Sequence, residues 1–134
     1  MLDEPICAIA DIERAADIPN VEFCKLKLKR FGSLDGLKRA LERVRELGME
    51  PVLGDGTSCE LQCWMEACVA RGVIRNAGEF NGFLKPKVRL FAEPLQFDAG
   101  ALVLPAGYAP VVDEDVLAVH KIAHERYAAR AHAH

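Results

Sequence analysis

From Val21 to Lys29 apolar and cationic side chains alternate. Cys24, Leu26 and Leu28 share one face of an extended segment, and Lys25, Lys27 and Lys29 share the other. This period of two predicts a strand in "VEFCKLKL". The period then lengthens. Leu34, Leu37, Leu41, Val44 and Leu47 form one helical stripe, with Ser33 in the N-cap position and Gly48 as the stop. "MEPVLG" is a second short apolar strand. "TSCE", Thr57 to Glu60, has the form of a capping box. It opens a helix carrying Leu61, Trp64, Met65 and Cys68 and stopping at Gly72, with Trp64 expected in the core. "GVIRNAGEF" reads as a third strand, and Asp11 as the cap of a short helix through Ala16.

Beyond Phe83 the pattern weakens and prolines accumulate. "LQFDAGALVLP" predicts a hairpin turning at Asp98-Ala99-Gly100. A last helix is expected from Glu114 to about Ala131, followed by the frayed tail "AHAH".

Strands alternating with helices predict an α/β fold with a parallel sheet and right-handed crossovers. Asp3, Lys27, Asp55 and Glu79 follow at intervals of 24, 28 and 24 residues (3 to 27, 27 to 55, 55 to 79). One β/α unit therefore separates each polar residue from the next. A parallel barrel gathers such positions on the carboxyl rim, and an open doubly wound sheet uses the same edge. Periodicity alone leaves both architectures open.

Composition narrows the function. The 134 residues suit one domain, expected to span 1–134, and 51% hydrophobic with 28% charged residues is ordinary for a globular chain. The net charge of -3 argues against a nucleic-acid partner. No apolar run is long enough to span a membrane, and "MLDEPICAIA" lacks the form of a signal peptide, so no membrane partner and a cytoplasmic location are expected. Five cysteines are then expected as free thiols. The spacing of Cys59, Cys63, Cys68, His120 and His124 fits no standard zinc signature.

"LDEP", "KLKRFGS", "VLGDGTS", "NAGEFNG" and "GALVLPAGYAPVVDEDVL" stand in the order and at the spacing of a known family. The chain resembles the carboxy-terminal part of the enolase superfamily, in the mandelate racemase/muconate lactonizing enzyme family and closest to its muconate-lactonizing and dipeptide-epimerase branch. The resemblance runs from Asp3 to about Leu117. It implies the C-terminal part of a (β/α)8 TIM-type barrel, from the end of the fifth strand through the eighth plus the tail. It implies Asp3 as a magnesium ligand, Glu4 as its hydrogen-bonding neighbour and Lys27 as the catalytic base, with Lys25 the rival amine. The resemblance also implies substrate-facing positions for Asp55, Ser58, Glu79 and Asn81, which could equally be ordinary cap and turn residues. Glu79-x-Asn81 replaces the Asp-x-Asp pair of epimerases, the tail lacks the family's glycine-rich form, and no histidine stands at the seventh strand, unlike the mandelate racemase branch. The family's two further metal carboxylates and its second lysine come from earlier strands, so the chain is expected to be part of a longer enzyme.

The implied reaction is Mg2+-dependent removal of the proton beside a carboxylate, giving an enediolate. Racemization, epimerization, cycloisomerization or dehydration would follow, the work of an isomerase or lyase on a small-molecule carboxylate. A lysine base must act as the neutral amine, and the like charges of Lys25 and Lys29 beside Lys27 would favour that form. Other readings stay open. Three lysines in a row also protect an exposed edge strand. The chain could be a non-catalytic remnant that associates with itself, as a homo-oligomer, or with the remainder of the barrel. It could also be an unrelated open α/β binding domain.

Overall fold

The computed structural model describes residues 1–54 and 58–125. Its centre is a short parallel ladder. β1 (Phe23–Leu26) pairs with β2 (Glu50–Leu53), Phe23 opposite Glu50 and Leu26 opposite Leu53. Leu2 adds a parallel bridge to Cys24 on one side, and Glu79 adds one to Gly54 on the other. Four segments thus lie side by side in chain order, each running the same way. The expected third strand contributes only that bridge, through the Glu79 N–H to Leu53 O bond of 3.0 Å.

Helices cover one face. α1 (Ile9–Ala16) buries Ile12 and Ala15. α3 (Leu34–Glu46) is the crossover between β1 and β2 and buries Leu37, Ala40, Leu41 and Val44. Ser33 caps it as the sequence predicts, its hydroxyl accepting from the Gly36 N–H at 3.0 Å. Cys24, Leu26 and Leu53 face these helices with Ile6 and Met49. A smaller cluster of Cys63, Phe83, Phe91 and Leu95 lies under the later segments. There β3 (Phe97–Asp98) and β4 (Ala101–Leu102) form the expected hairpin. Ala99 and Gly100 supply its two positive φ values, 47° and 83°.

Several boundaries differ from the sequence pattern. α1 begins two residues before Asp11, whose carboxylate reaches back to the Cys7 and Ala8 N–H groups at 2.9 and 2.7 Å. β1 stops at Leu26, where the ladder meets its last partner in the Gly54 N–H to Leu26 O bond. Lys27 is extended, and Leu28–Phe31 then coil into the single helical turn α2, closed by Gly32 at φ 73°. Lys29 therefore lies exposed on α2 rather than on a strand face beside Lys27.

α4 (Glu60–Ala70) turns a different face inward from the expected one. Cys63, Ala67 and Ala70 are buried with Glu60 and Glu66, Trp64 is half-buried and Cys68 is exposed. The two acids are buried because backbone amides meet them. Glu60, the first helical residue rather than part of a capping box, accepts from the Leu90 and Phe91 N–H groups at 2.7 and 3.2 Å and from Arg89 at 3.2 Å. Glu66 accepts from the Leu28 N–H at 3.2 Å. Thr57 lies outside the described residues. Glu60→Ala would leave two backbone amides without their charged acceptor and is expected to cost about 2 kcal/mol. Amide hydrogen exchange at Leu90 and Phe91 checks this, and unchanged protection there would refute it.

α5 (Glu114–His120) is capped by Asp113, which accepts from the Val116 N–H at 3.0 Å. It ends at His120, well before the expected Ala131, and residues 121–125 are not helical. The "AHAH" tail lies outside the described residues. No described helix is long and apolar enough to cross a membrane.

Candidate functional site

The face of the ladder away from the helices carries the polar residues. Lys25 sits opposite Val52 in β1, pointing away from the Cys24 and Leu26 side. Asp3, one residue past the Leu2 bridge, lies on the Lys25 side by the same alternation. The Lys27 side chain turns onto the same spot. Its Nζ stands 2.8 Å from Asp3 Oδ1 and 3.0 Å from Oδ2. Lys25 Nζ is 3.3 Å from Asp3 Oδ2 and contacts Glu79 Oε2 directly. Glu4 stands 3.4 Å from Lys27 Nζ.

Arg30 completes the cluster, and the sequence reading does not include it. Its guanidinium lies 3.0 Å from Asp3 Oδ1 and 2.8 Å from Glu4 Oε2. The available signal was its position, three residues after Lys27 and just before the Gly32 stop, which sets both on one side of a helical turn.

Three cations thus meet three carboxylates. The side chains of Lys25, Lys27 and Arg30 are only 8%, 11% and 11% exposed, and that of Asp3 is 28% exposed, while Glu4 and Glu79 are open to solvent. Burial alone would raise the Asp3 carboxyl. Hydrogen bonds from Lys27 and Lys25, and their positive charge, outweigh it and hold the group below its ordinary value. The groups bonded to the Lys27 ammonium are carboxylates, which replaces the expected arrangement of flanking like charges from Lys25 and Lys29.

Gly54 leaves room for this cluster. A Cβ there would stand 2.5 Å from Lys25 Cε and 3.2 Å from Cγ. The lysine stem can give way, but only by drawing its ammonium off Asp3 and Glu79. Gly54→Ala is expected to cost about 1 kcal/mol. Thermal unfolding beside a Lys25→Met, Gly54→Ala double variant checks the cause: the glycine change should cost less once the lysine contacts are gone, and equal costs would refute it.

The other expected residues stand apart. Ser58 is buried, its Oγ 3.0 Å from Cys63 Sγ on α4. Asn81 is exposed and opens the 3₁₀ turn Gly82–Leu84. Neither has a hydrogen bond into the cluster among the described residues, and Asp55 lies outside them. A cavity of about 640 Å³ opens between the end of α4 and the β3–β4 hairpin, lined by Leu53, Arg71, Asn76, Phe97 and Leu102. No side chain of the ion-pair cluster lines it.

Magnesium takes six oxygen ligands in near-octahedral geometry. Both Asp3 oxygens already accept from cationic side chains. Among the described residues no group of three or more His, Cys, Asp or Glu could hold a metal ion. The described residues of this chain do not by themselves make up a magnesium site.

Comparison with solved structures shows what the fold is similar to. Muconate lactonizing enzyme from Pseudomonas putida matches 87% of the chain at a TM-score of 0.75 and 22% identity. A member of the enolase superfamily from Listeria innocua matches 88% at 0.76 and 20% identity. N-succinyl Arg/Lys racemase from Bacillus cereus matches 90% at 0.72 and 16% identity. The chain has the fold of part of the enolase superfamily. It spans 33–34% of the length of those three proteins. The mandelate racemase/muconate lactonizing resemblance of the sequence motifs is thus matched by three-dimensional structure. No protein-family profile matches the chain, and no curated protein matches it in sequence.

Proposed function

We propose that the chain is the carboxy-terminal barrel portion of an enolase-superfamily enzyme that removes the α-proton of a small carboxylate. The observation that carries this reading is the meeting of Lys27 with Asp3 at 2.8 Å, beyond the carboxyl ends of adjacent parallel segments. Lys27 as the amine takes the proton, and the electron pair left behind forms an enediolate. Lys27 as the ammonium can return the proton only to the face it took it from, so racemization or epimerization needs a second acid on the opposite face. Dehydration or cycloisomerization follows where the enediolate electron pair instead expels an oxygen substituent from the β-carbon. The ammonium of Lys25, on the same face as Lys27 and 3.3 Å from Asp3 Oδ2, is the group assigned to stabilise the oxyanion charge that develops on the substrate. Glu79 and Asn81, with Asp55 and Ser58, keep the substrate-facing roles that the resemblance implies, and Glu4 shares Lys27 and Arg30 with Asp3. Magnesium belongs to this reading only if carboxylates from outside the described residues join Asp3.

Incubation in D2O with a panel of α-substituted carboxylates, with and without magnesium, tests the reading by loss of the α-proton NMR signal. Exchange that requires Lys27 is the expected result. A folded chain that exchanges no acid in the panel would overturn it.

A second reading rests on the sheet edges. Among the described residues, Leu2 and Glu79 pair on one side only. A backbone edge left open on each flank favours association with a second copy or with the rest of a barrel. Sedimentation of the purified chain decides this: a monomer that takes up no partner over the micromolar range would exclude self-association.

A further inference from the structure

We propose that Arg30 is the positioning residue of this site, holding the Asp3–Ile6 turn so that the Asp3 carboxylate faces the Lys27 amine. The proposal rests on the reading of Asp3 and Lys27 as the working pair. Four hydrogen bonds carry the geometry. Nη1 donates to the backbone oxygens of Asp3 and Ile6 at 2.5 and 3.3 Å and to Asp3 Oδ1 at 3.0 Å, and Nη2 donates to Glu4 Oε2 at 2.8 Å. The turn itself is closed by the Ile6 N–H to Asp3 O bond of 3.0 Å. One guanidinium thus grips both ends of the turn and both acidic side chains within it.

The sheet cannot do this alone. The segment before the turn is held by a single bridge, through the Leu2 N–H to Phe23 O and Lys25 N–H to Leu2 O bonds. Asp3 lies past that bridge: the alternation sets its side of the sheet, but among the described residues no ladder bond of its own holds it there. Arg30 supplies the direction from a rigid base. The Arg30 N–H to Lys27 O bond of 3.0 Å and the αL glycine at 32 fix α2 immediately after the lysine. The cationic run "KLKLKR" therefore divides its work: Lys25 and Lys27 meet carboxylates, Lys29 meets solvent, and Arg30 organises the backbone that presents Asp3. Lysine would not fill this role, since its compact ammonium lacks the wide planar fork that here spans two backbone oxygens and two carboxylates.

The test is NMR of the full chain at low temperature without substrate. In the wild-type chain the Arg30 Nη–H signals should be resolved and protected from water, and the Lys27 ammonium should give a protected signal, assigned by its loss in Lys27→Arg. Exchange-averaged Arg30 Nη signals would overturn the proposal with no variant needed. In Arg30→Gln the Lys27 ammonium signal is expected to be lost, while the backbone amides of Cys24, Lys25 and Val52 keep their shifts. Arg30→Lys keeps the charge and is expected to lose that signal as well. A Lys27 signal unchanged in either folded variant would overturn the proposal. No substrate enters the measurement, so a failure of the proton-exchange reading leaves this result intact, and the converse also holds.

Discussion

Lys27→Ala is expected to slow α-proton exchange by about 10²- to 10⁴-fold, the range for loss of a general acid–base group. The fold should survive. Asp3 keeps Arg30 at 3.0 Å and Lys25 at 3.3 Å, so its carboxylate is not stranded. The loss should therefore appear in the rate, with the circular dichroism spectrum unchanged. Lys25→Ala is the necessary companion, because its ammonium reaches the same carboxylate and also Glu79. If Lys27 is the base, Lys25→Ala retains more exchange than Lys27→Ala. The reverse order would transfer the role to Lys25, and equal small losses would remove both amines from the chemistry.

The largest expected effect on stability belongs to Asp3→Asn. One carboxylate serves three cations that are each about nine-tenths buried. The amide keeps the shape but not the charge. It leaves Lys25, Lys27 and Arg30 with only the exposed Glu4 and Glu79 to balance them. Removing one partner from a buried ionic group typically costs 3–5 kcal/mol, and the partial exposure of Asp3 places the expected loss at about 3 kcal/mol. Urea unfolding measures it as a shift in midpoint at constant slope. A loss below about 1 kcal/mol would mean that the ion pairs are worth no more than surface pairs.

The same residue sets a pH dependence. The Asp3 carboxyl is held below its ordinary value in the folded chain: burial opposes ionisation, but the bonds from Lys27 and Lys25 outweigh it. A group depressed on folding contributes stability above its unfolded value, near 3.9, and that contribution falls away as pH drops through the folded value. Below about pH 4 the wild-type chain should therefore lose stability more steeply than Asp3→Asn. Parallel acid limbs in the two proteins would contradict the assignment.

The reach of sequence reasoning differs from element to element. α3 was fully legible, because its stripe, cap and glycine stop are all local and agree with one another. The hairpin was legible because Gly100 meets a positive-φ demand that few residues satisfy cheaply, while Ala99 beside it takes φ 47° against its own preference. α4 was misread, since its inward face carries Glu60 and Glu66, which hydropathy assigns to solvent. Their partners are backbone amides 30 to 38 residues away in the chain, Leu28 for Glu66 and Leu90 and Phe91 for Glu60. The site was half legible. The intervals between Asp3, Lys27 and Glu79 marked one edge of a parallel sheet, and Asp3, Lys25, Lys27 and Glu79 do meet. Ser58 and Asn81 do not join them.

By itself, the sequence determined the alternation of strands and helices and which face of β1 carries amines, because side-chain direction in a short strand follows directly from the backbone period. It also carried the resemblance to a fold in which such amines face a carboxylate. Only the tertiary structure decided that β1 ends at Leu26, that Lys29 leaves the cluster and that Arg30 enters it. A strand ends where its hydrogen-bonding partners end, and those partners come from segments distant in the chain. An ion pair likewise depends on which distant groups fill the space between two charges.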